Sequence, residues 1–312
     1  MILPMNPTAT ALRSFPLPDP PGVPRLPADA AFRFFGARVL RGERLGPTMV
    51  RITLGGPDLA GFASGGRDQS CSLFLPQPGQ PGPVLPAAAG EDWFAAWRAM
   101  DPEVRAVMRS YTVRQARPQQ AEVDLDFALH GDAGPASRWA AAARPGDRVA
   151  LLGPAREDNK SIGFQPPPDT DWVLLCADET ALPAVAGILA WLPAGLRAAV
   201  WIAVPAPGDL QDLPTAARAE VTWLVREQPS AAGPDLRRRR SVLDAVRSAR
   251  LPEGRPYAWI AGESGTVRAL RRHLVGDRGF DRERVFFSGY WRPGASEEAL
   301  REARSARARR AG

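Results

Sequence analysis

The hydrophobic pattern of this chain changes at a proline-rich linker, residues 164–168 (Phe-Gln-Pro-Pro-Pro). Before the linker, six short apolar runs are separated by glycine- and proline-rich turns, a pattern typical of the strands of a small antiparallel barrel. After the linker, apolar runs alternate with helical segments, which indicates a parallel sheet covered by helices on both faces. We therefore expect a β + α/β chain, in which a six-stranded antiparallel β-barrel precedes a parallel-sheet α/β domain.

These patterns divide the chain into four segments. We expect a disordered proline-rich arm at 1–30, the barrel at 31–160, the α/β domain at 170–295 and a basic C-terminal helix or tail at 296–312. The predicted barrel strands are 32–39, 48–54, 70–75, 110–114, 123–130 and 148–152, with short helices at 91–100 and 138–143. In the α/β domain the predicted strands are 172–176, 198–204, 221–225, 257–261 and 285–288, and the helices are 181–191, 241–248 and 267–274.

Composition argues against several kinds of protein. The chain of 312 residues has two cysteines and two histidines, so Cys/His zinc sites and cysteine-bound iron–sulfur clusters are not expected. Nearly all of its positive charge is arginine, and no aromatic residue interleaves the arginines of the C-terminal segment, which gives no signature of nucleic-acid binding. It contains neither a signal-peptide pattern nor an apolar stretch of membrane-spanning length, so we expect a soluble, cytoplasmic protein without membrane insertion.

The predicted strand that follows Arg109 carries a pattern suited to a flat ligand. Tyr111 and Val113 share one face of this strand, while Ser110 and Thr112 share the other. Such a strand can hold a phenol and a short hydroxyl against a flat ring, with the Arg109 guanidinium available to clamp a phosphate.

A second strand, containing Asp126 and Phe127, ends near His130 and leads into a small helix start, Gly134-Pro135-Ala136-Ser137. The first amides of a helix have no intrahelical partner, and its dipole favours negative charge. Together the strand and the helix start predict a dinucleotide site, with the ring on the strand and the pyrophosphate at the helix end.

Five motifs in this order resemble the siderophore-interacting protein family, FAD-dependent ferric-siderophore reductases related to ferredoxin reductases. The resemblance extends from Phe32 to Gly294 and rests on Arg-x-Tyr-Thr at 109–112, Asp-Phe-x-Leu-His-Gly at 126–131 with Gly-Pro-Ala-Ser at 134–137, Asp-Glu-Thr-Ala-Leu-Pro-Ala at 178–184, Trp-Ile-Ala-Gly-Glu at 259–263 and Ser-Gly-Tyr-Trp-Arg at 288–292. It implies a ferredoxin-reductase-like fold that uses FAD. It also implies NADPH, NADH or ferredoxin as electron donor and a ferric siderophore or another ferric chelate as substrate, with the chemistry carried by the flavin and no metal ligand in the protein.

The resemblance also implies roles for single residues. Arg109 would meet the FAD phosphates, Tyr111 the ring or ribityl region, and Thr112 the flavin edge near N5. The remaining residues implied to contact FAD are Ser110, Asp126, Phe127, His130, Gly134, Pro135, Ala136, Ser137, Tyr290 and Trp291. Asp178, Glu179 and Thr180 lie where a nicotinamide would dock, although an acidic turn after a strand is also a good helix N-cap. Arg156 and Arg292 would face an anionic iron chelate.

Two positions depart from the family pattern. Ser72 stands where family members usually have a lysine, and Ala155 stands where a basic residue commonly follows Gly-Pro, with Arg156 one place later. These departures leave open whether the chain has a basic patch of the kind that binds catecholates. They also leave two alternatives to the siderophore reductase: a flavin reductase or redox partner serving a different acceptor, and a non-catalytic ligand-binding module.

Overall fold

A computed structural model describes residues 24, 26–27, 29–87, 92–130, 134–226, 241–295 and 298 of the chain. Most of the predicted N-terminal arm and the predicted basic helix or tail therefore lie outside the described residues, as does Gly131 of the sequence motif. Within the described part of the chain, no helix is long and apolar enough to cross a membrane.

The first half of the described chain closes into a six-stranded antiparallel barrel, as predicted. The strands are β1 (Phe32–Arg44), β2 (Met49–Gly55), β3 (Ser70–Leu75), β4 (Val107–Arg117), β5 (Glu122–Ala128) and β6 (Arg148–Pro154). They follow the order β1-β2-β5-β4-β3-β6, and β1 pairs with β6 to complete the cylinder. Alternate side chains fill the interior, among them the fully buried Leu54, Leu73 and Leu125.

Strand β1 runs five residues beyond its predicted end. Its second half is strongly charged, and so carries no apolar signal, but a register shift between Val39 and Arg41 lets it continue to pair with β2. Two helices accompany the barrel: α1 (Trp93–Ala99) and α2 (Pro135–Ala142). The face of α2 that carries Ala136 and Ala140 packs into the barrel core, so this helix covers one end of the barrel.

The second half of the described chain is a parallel sheet with helices on both faces, again as predicted. Its elements are β7 (Trp172–Asp178), α3 (Leu182–Trp191), β8 (Arg197–Val204), β9 (Arg218–Val225), α4 (Val242–Ser248), β10 (Pro256–Glu263), α5 (Ser264–Arg272) and β11 (Val285–Trp291). The five strands follow the order β11-β10-β7-β8-β9. In β7, Val173 and Leu175 pack in one core cluster with α3, whereas Leu174 and Cys176 pack in another with α4 and α5. Burial on both faces explains the uninterrupted apolar run of this strand.

Helix α3 lies between the sheet and barrel strand β4, and seven of its ten residues are buried. A helix that is apolar on all sides is expected where it is covered on all sides. Gly187 of α3 approaches the barrel so closely that a Cβ there would lie 2.1 Å from the carbonyl oxygen of Arg67. The Arg67 guanidinium covers the Trp191 ring at 4.9 Å, so this contact fixes the barrel against the sheet.

Candidate functional site

A cleft of about 600 Å³ lies where the barrel meets the sheet. The barrel contributes the outer faces of β3 and β4 and the end of β5, and the connection to the sheet contributes residues 160–163. The start of α3 and the end of β11 form the opposite wall with Thr180, Pro183, Tyr290 and Trp291. Several of the motifs that lie far apart in sequence therefore meet around one space.

Strand β4 forms the hydroxyl-rich wall of this cleft. Ser110 and Thr112 point to the same side as Ser72 and Ser70, their partners on β3 in the antiparallel register. Thr112 is buried and forms a side-chain hydrogen bond with Tyr290 of β11. Burial raises the pKa of Tyr290, so its hydroxyl stays protonated and Thr112 and Tyr290 join barrel and sheet through neutral groups.

Tyr111 and the start of α2 also come together. The Tyr111 ring lies 4.3 Å from that of Phe127, centroid to centroid, and Phe127 lies 5.8 Å from Trp139 of α2. The Phe127 ring thus lies between Tyr111 of β4 and Trp139 of α2. Phe127 itself is fully buried beneath Tyr111, so its side chain supports the site and does not line the cleft.

The helix start offers room for a ligand. Among the described residues, no atom lies within 4 Å of a Cβ placed at Gly134, so these residues leave the space in front of the first turn open. Ser137 accepts a hydrogen bond at its hydroxyl oxygen from the backbone N–H of His130, 3.0 Å away, which ties the end of the β5 segment to the helix. Open space at a helix N-terminus beside an aromatic strand fits a dinucleotide whose phosphates take the helix end.

Arg109 is placed differently from its predicted partners. Its side chain is only 14% exposed and does not line the cleft. The guanidinium donates to the carbonyl oxygen of Met108 at 2.8 Å and forms an ion pair with Glu298 near the C-terminus. This guanidinium therefore already holds a carboxylate.

The two arginines predicted to face the substrate lie outside the cleft lining as well. Arg156 is exposed and makes a two-point ion pair with Asp158, both bonds at 3.0 Å. Arg156 and Asp158 lie two residues apart on one loop, and each side chain neutralises the charge of the other. Arg292 is exposed just beyond Trp291.

The acidic turn after β7 is a structural junction. Asp178 accepts hydrogen bonds from the N–H and hydroxyl of Thr180 and, through its other oxygen, from Glu263 N and Trp291 Nε1, both at 2.8 Å. The predicted helix cap is not formed, because α3 begins at Leu182 with Ala181 as the N-cap residue and no side-chain cap. Asp178 instead joins the ends of β7, β10 and β11. Burial, and then the Glu179 charge, raise its pKa.

Glu179 is buried and pairs through Oε1 with Arg226 at 2.5 Å. Its Oε2 is buried and has no hydrogen-bond partner among the described residues. A half-satisfied buried carboxylate at the end of a strand is a place where a ligand donor can bind.

A second cavity of about 320 Å³ opens beside this junction. It lies at the carboxyl ends of β7, β8, β9 and β10, where open α/β sheets bind ligands. Trp291 lines both this cavity and the first cleft, and its ring lies 6.1 Å from that of His130, centroid to centroid. One indole therefore stands between the barrel side and the sheet side of the site.

Sequence reasoning missed two charged residues that line the cleft, Asp68 and Lys160. Asp68 is buried and accepts from the backbone N–H groups of Gly163 and Phe164 and from Trp259 Nε1, at 2.8–3.0 Å. Burial raises the pKa of Asp68 despite these donors. Lys160 is the only lysine of the chain, and this was the one feature of the sequence that distinguished it.

Among the residues the structure describes, no group of three or more His, Cys, Asp or Glu side chains is arranged to hold a metal ion. The two carboxylates of the cleft lining, Asp68 and Asp126, are instead held by protein donors. Asp126, for example, forms a two-point ion pair with Arg51 at 2.7 and 2.8 Å.

Two family models match the chain. The siderophore-interacting FAD-binding domain matches residues 38–158, and the siderophore-interacting protein model matches residues 170–294. Among curated relatives, the ferric vibriobactin reductase ViuB of Vibrio cholerae is 31% identical over 267 residues, or 85% of this chain and 92% of ViuB. The NADPH-dependent ferric-chelate reductase of Escherichia coli is 30% identical over 267 residues, or 83% of this chain and 93% of that protein.

Comparison with solved structures leads to the same family and fold. The siderophore-interacting protein SipS from Aeromonas hydrophila superposes with a TM-score of 0.70 at 34% identity, covering 89% of this chain and 98% of SipS. A ferredoxin reductase in carbazole 1,9a-dioxygenase gives a TM-score of 0.58 at 17% identity over 85% of this chain and 71% of that one, a likeness of fold alone. With a ferredoxin-reductase-like fold and relatives matched along nearly their whole length, the chain belongs to the siderophore-interacting protein family and carries its FAD-binding domain.

Proposed function

We propose that this protein is an FAD-dependent reductase of ferric siderophores or related ferric chelates, with a reduced nicotinamide dinucleotide as electron donor. The observation that carries the proposal is a pair of cavities that share Trp291. One lies along β4, near the start of α2, and the other lies at the carboxyl ends of the strands of the parallel sheet. The names of the two curated relatives, both ferric reductases, support the same reaction class.

The residues around the first cleft fit FAD. Tyr111 and Thr112 would hold the ring on β4, and the open N-terminus of α2 at Gly134 would take the pyrophosphate, with Arg109 able to supply charge. FAD, when bound, accepts a hydride from reduced nicotinamide and passes its electrons singly to an acceptor. The protein binds and orients the cofactor: Tyr290 fixes Thr112, and His130 ties the strand end to Ser137.

The second cavity would take the nicotinamide dinucleotide. Its walls are mostly apolar, and one of its lining residues, Arg226, pairs with the buried Glu179. NADPH is the donor named for the Escherichia coli relative, while NADH and a ferredoxin are the other donors to compare.

Iron is substrate in this scheme and needs no ligand from the chain. Adding one electron to Fe(III) lowers its charge, which weakens its attraction to hard anionic oxygens and loosens the chelate. The open mouth of the cleft beside Ser72 and Lys160 is where a chelate could approach the flavin edge held by Thr112.

The proposal is tested with FAD-loaded protein under anaerobic conditions. NADPH, NADH or reduced ferredoxin is added in turn, and the bleaching of the visible flavin band identifies the donor. A ferric chelate is then added together with a chromogenic Fe(II) trap. The expected result is recovery of the flavin band, with two Fe(II) formed for each two-electron-reduced flavin.

Two results would support the alternatives. If oxygen or a redox dye reoxidises the flavin as fast as every ferric chelate tried, the protein is a flavin reductase for another acceptor. If the purified protein binds no FAD at all, the barrel is a binding module and the proposal is lost.

A further inference from the structure

We propose that Asp209 is a positioning residue for electron transfer from the nicotinamide to the flavin. Its buried carboxylate belongs to the sheet half of the molecule and holds a turn of the barrel, so that it sets the distance between the two cofactor positions. This inference rests on the proposed function, in which the nicotinamide lies on the sheet and FAD on the barrel. It concerns a residue that lines neither cavity.

The Asp209 carboxylate joins the two halves through hydrogen bonds. Asp209 ends the short turn Pro207–Asp209, which follows β8, and its side chain is fully buried. One carboxylate oxygen accepts the backbone N–H of Thr48 at 2.8 Å. The other accepts the Thr48 hydroxyl at 2.9 Å and the backbone N–H of Ala206 at 3.1 Å. Hydrogen bonds to a charged group are among the strongest in proteins, and two of these three donors belong to the barrel.

The turn between β1 and β2, residues 45–48, lies against this carboxylate without spare room. A Cβ at Gly46 would lie 2.6 Å from Asp209 Oδ1 and 2.6 Å from the carbonyl oxygen of Gly208. A Cβ at Gly208 would lie 2.9 Å from Cδ of Pro47. The two turns therefore approach through their backbones, and the Asp209 bonds fix the orientation of the barrel turn as well as its distance.

On the barrel side, Thr48 leads to the helix start proposed for the FAD phosphates. The backbone N–H of Leu129, just after β5, donates to the Thr48 carbonyl oxygen at 2.7 Å. The N–H of the next residue, His130, donates to the Ser137 hydroxyl of α2 at 3.0 Å. Two hydrogen bonds and one peptide unit thus connect Thr48 to the first turn of α2.

On the sheet side, the Asp209 turn continues from a strand that borders the second cavity. β8 ends at Val204, and Ala203 lines this cavity. The backbone N–H of Arg226, another lining residue, donates to the Val204 carbonyl oxygen at 2.9 Å. Asp209 therefore connects the position proposed for the nicotinamide with the position proposed for the FAD phosphates.

Loss of this carboxylate is expected to let the barrel turn relative to the sheet. Arg67, Asp68 and Thr112 also contact the sheet half, but they lie together on β4 and on the segment before β3. In the barrel order β5 separates these strands from β2, so these contacts hold another side of the barrel. A hydride passes when the reacting atoms are about 3–3.5 Å apart, and a displacement of about 1 Å can slow transfer by about 100-fold.

The test separates electron transfer into the flavin from electron transfer out of it. In the first, a C–H bond of the reduced nicotinamide breaks and the hydrogen moves to the flavin with both electrons, which leaves the nicotinamide oxidised. Excess NADPH is mixed anaerobically with FAD-loaded protein, and Asp209→Ala is expected to slow bleaching of the flavin band by at least about tenfold. Reoxidation of dithionite-reduced flavin by ferricyanide and the Kd for FAD are expected to stay unchanged, because neither involves the nicotinamide.

Variants of Thr48 separate positioning from general stability. Thr48→Val keeps the shape and the backbone N–H but loses the hydroxyl, so it should slow flavin reduction less than Asp209→Ala does and add nothing in that background. Thr48→Ser keeps both donors and should reduce the flavin at the wild-type rate. Asp58→Ala is the matched control, because its carboxylate accepts the Gly36 N–H at 3.0 Å inside the barrel, and it should leave the rate of flavin reduction unchanged.

Hydrogen exchange provides a measurement that does not depend on activity. The Thr48 amide donates to a buried carboxylate, and a hydrogen bond of this kind slows exchange. In Asp209→Ala the exchange rate of this amide should rise by at least about tenfold. In Asp58→Ala it should stay unchanged.

An unchanged rate of flavin reduction in Asp209→Ala would overturn the inference, as would an unchanged exchange rate at Thr48. Equal slowing of reduction and reoxidation, or weaker affinity for FAD, would show a general structural role and would overturn it too. If Asp209→Ala does not fold, an unchanged reduction rate in Thr48→Val has the same meaning. Failure of the proposed function is distinguished by the wild-type protein, whose flavin would then not be reduced by NADPH or NADH at all.

Discussion

Removal of the Arg109 guanidinium is expected to weaken FAD binding without unfolding the barrel. The family resemblance assigns this residue to the phosphates, and in the structure the guanidinium holds the Glu298 carboxylate, so the position already binds an anion. A hydrogen bond to a charged group contributes about 1.5–3 kcal/mol, and Arg109→Ala should therefore raise the Kd for FAD by about 10- to 150-fold.

Glu298 sharpens this prediction because it competes for the same guanidinium. Its side chain is 36% exposed, so the pair is partly screened and contributes no more than about 1 kcal/mol. Glu298→Ala should therefore tighten FAD binding by up to about fivefold. In the double variant the Glu298 change should have no further effect, because the guanidinium it competes for is gone.

Isothermal titration of flavin-free protein with FAD measures all three variants, and Arg144→Ala, an exposed arginine just after α2, is the matched control. An unchanged Kd in Arg109→Ala would refute the phosphate clamp. Weaker binding in Glu298→Ala would refute the competition and show that the carboxylate orients the guanidinium for the phosphate.

Three further variants test other parts of the structure. Gly134→Val should abolish FAD binding while the melting temperature stays unchanged, because among the described residues a Cβ there meets no atom within 4 Å and enters only the space before α2; a lowered melting temperature would show a structural role instead. Gly187→Ala should lower the urea-unfolding free energy by about 1–3 kcal/mol, since its Cβ overlaps the Arg67 carbonyl, whereas Gly276→Ala has open space and should cost far less. Asp68→Asn tests a pH dependence. Because burial raises the Asp68 pKa, the folded protein must release this proton at a cost that the unfolded chain does not bear. The stability of wild type relative to Asp68→Asn should therefore fall as pH rises from below the ordinary carboxyl pKa through the raised one, and a difference that grows with pH would contradict the assignment.

The elements of this fold were predictable because each has a local cause. Alternation of polar and apolar residues marks strands such as β9, and continuous apolar runs mark strands covered on both faces, such as β7. The prediction was wrong about the end of β1, where the charged residues after Leu40 still pair with β2. Pairing there depends on a register shift and on a partner strand, and neither leaves a trace in hydrophobicity.

The candidate site was predictable where neighbours in sequence stay neighbours in space. The two faces of β4 follow from strand alternation, and the Gly134 helix start lies seven residues beyond Phe127. Asp68 and Lys160 were missed because their positions depend on hydrogen bonds between segments about 90 to 190 residues apart. Arg156 pairs with Asp158 on the same loop and does not line the cleft, where the family resemblance had placed it.

Trp291 explains why motifs from both halves of the chain occur together. Asp178 accepts from its indole N–H, Ser264 donates to its backbone carbonyl at 2.8 Å, and His130 of the barrel lies beside its ring. Each anchor belongs to a different element, so the ring is placed only when the barrel, the acidic turn and α5 are all in position. Because the same ring lines both cavities, the geometry between a flavin bound on the barrel and a nicotinamide bound on the sheet would, in the proposed reaction, depend on all three anchors at once. A single motif therefore predicts little by itself. The motifs in order define the junction between barrel and sheet, where electrons would pass from the nicotinamide to the flavin in the proposed reaction.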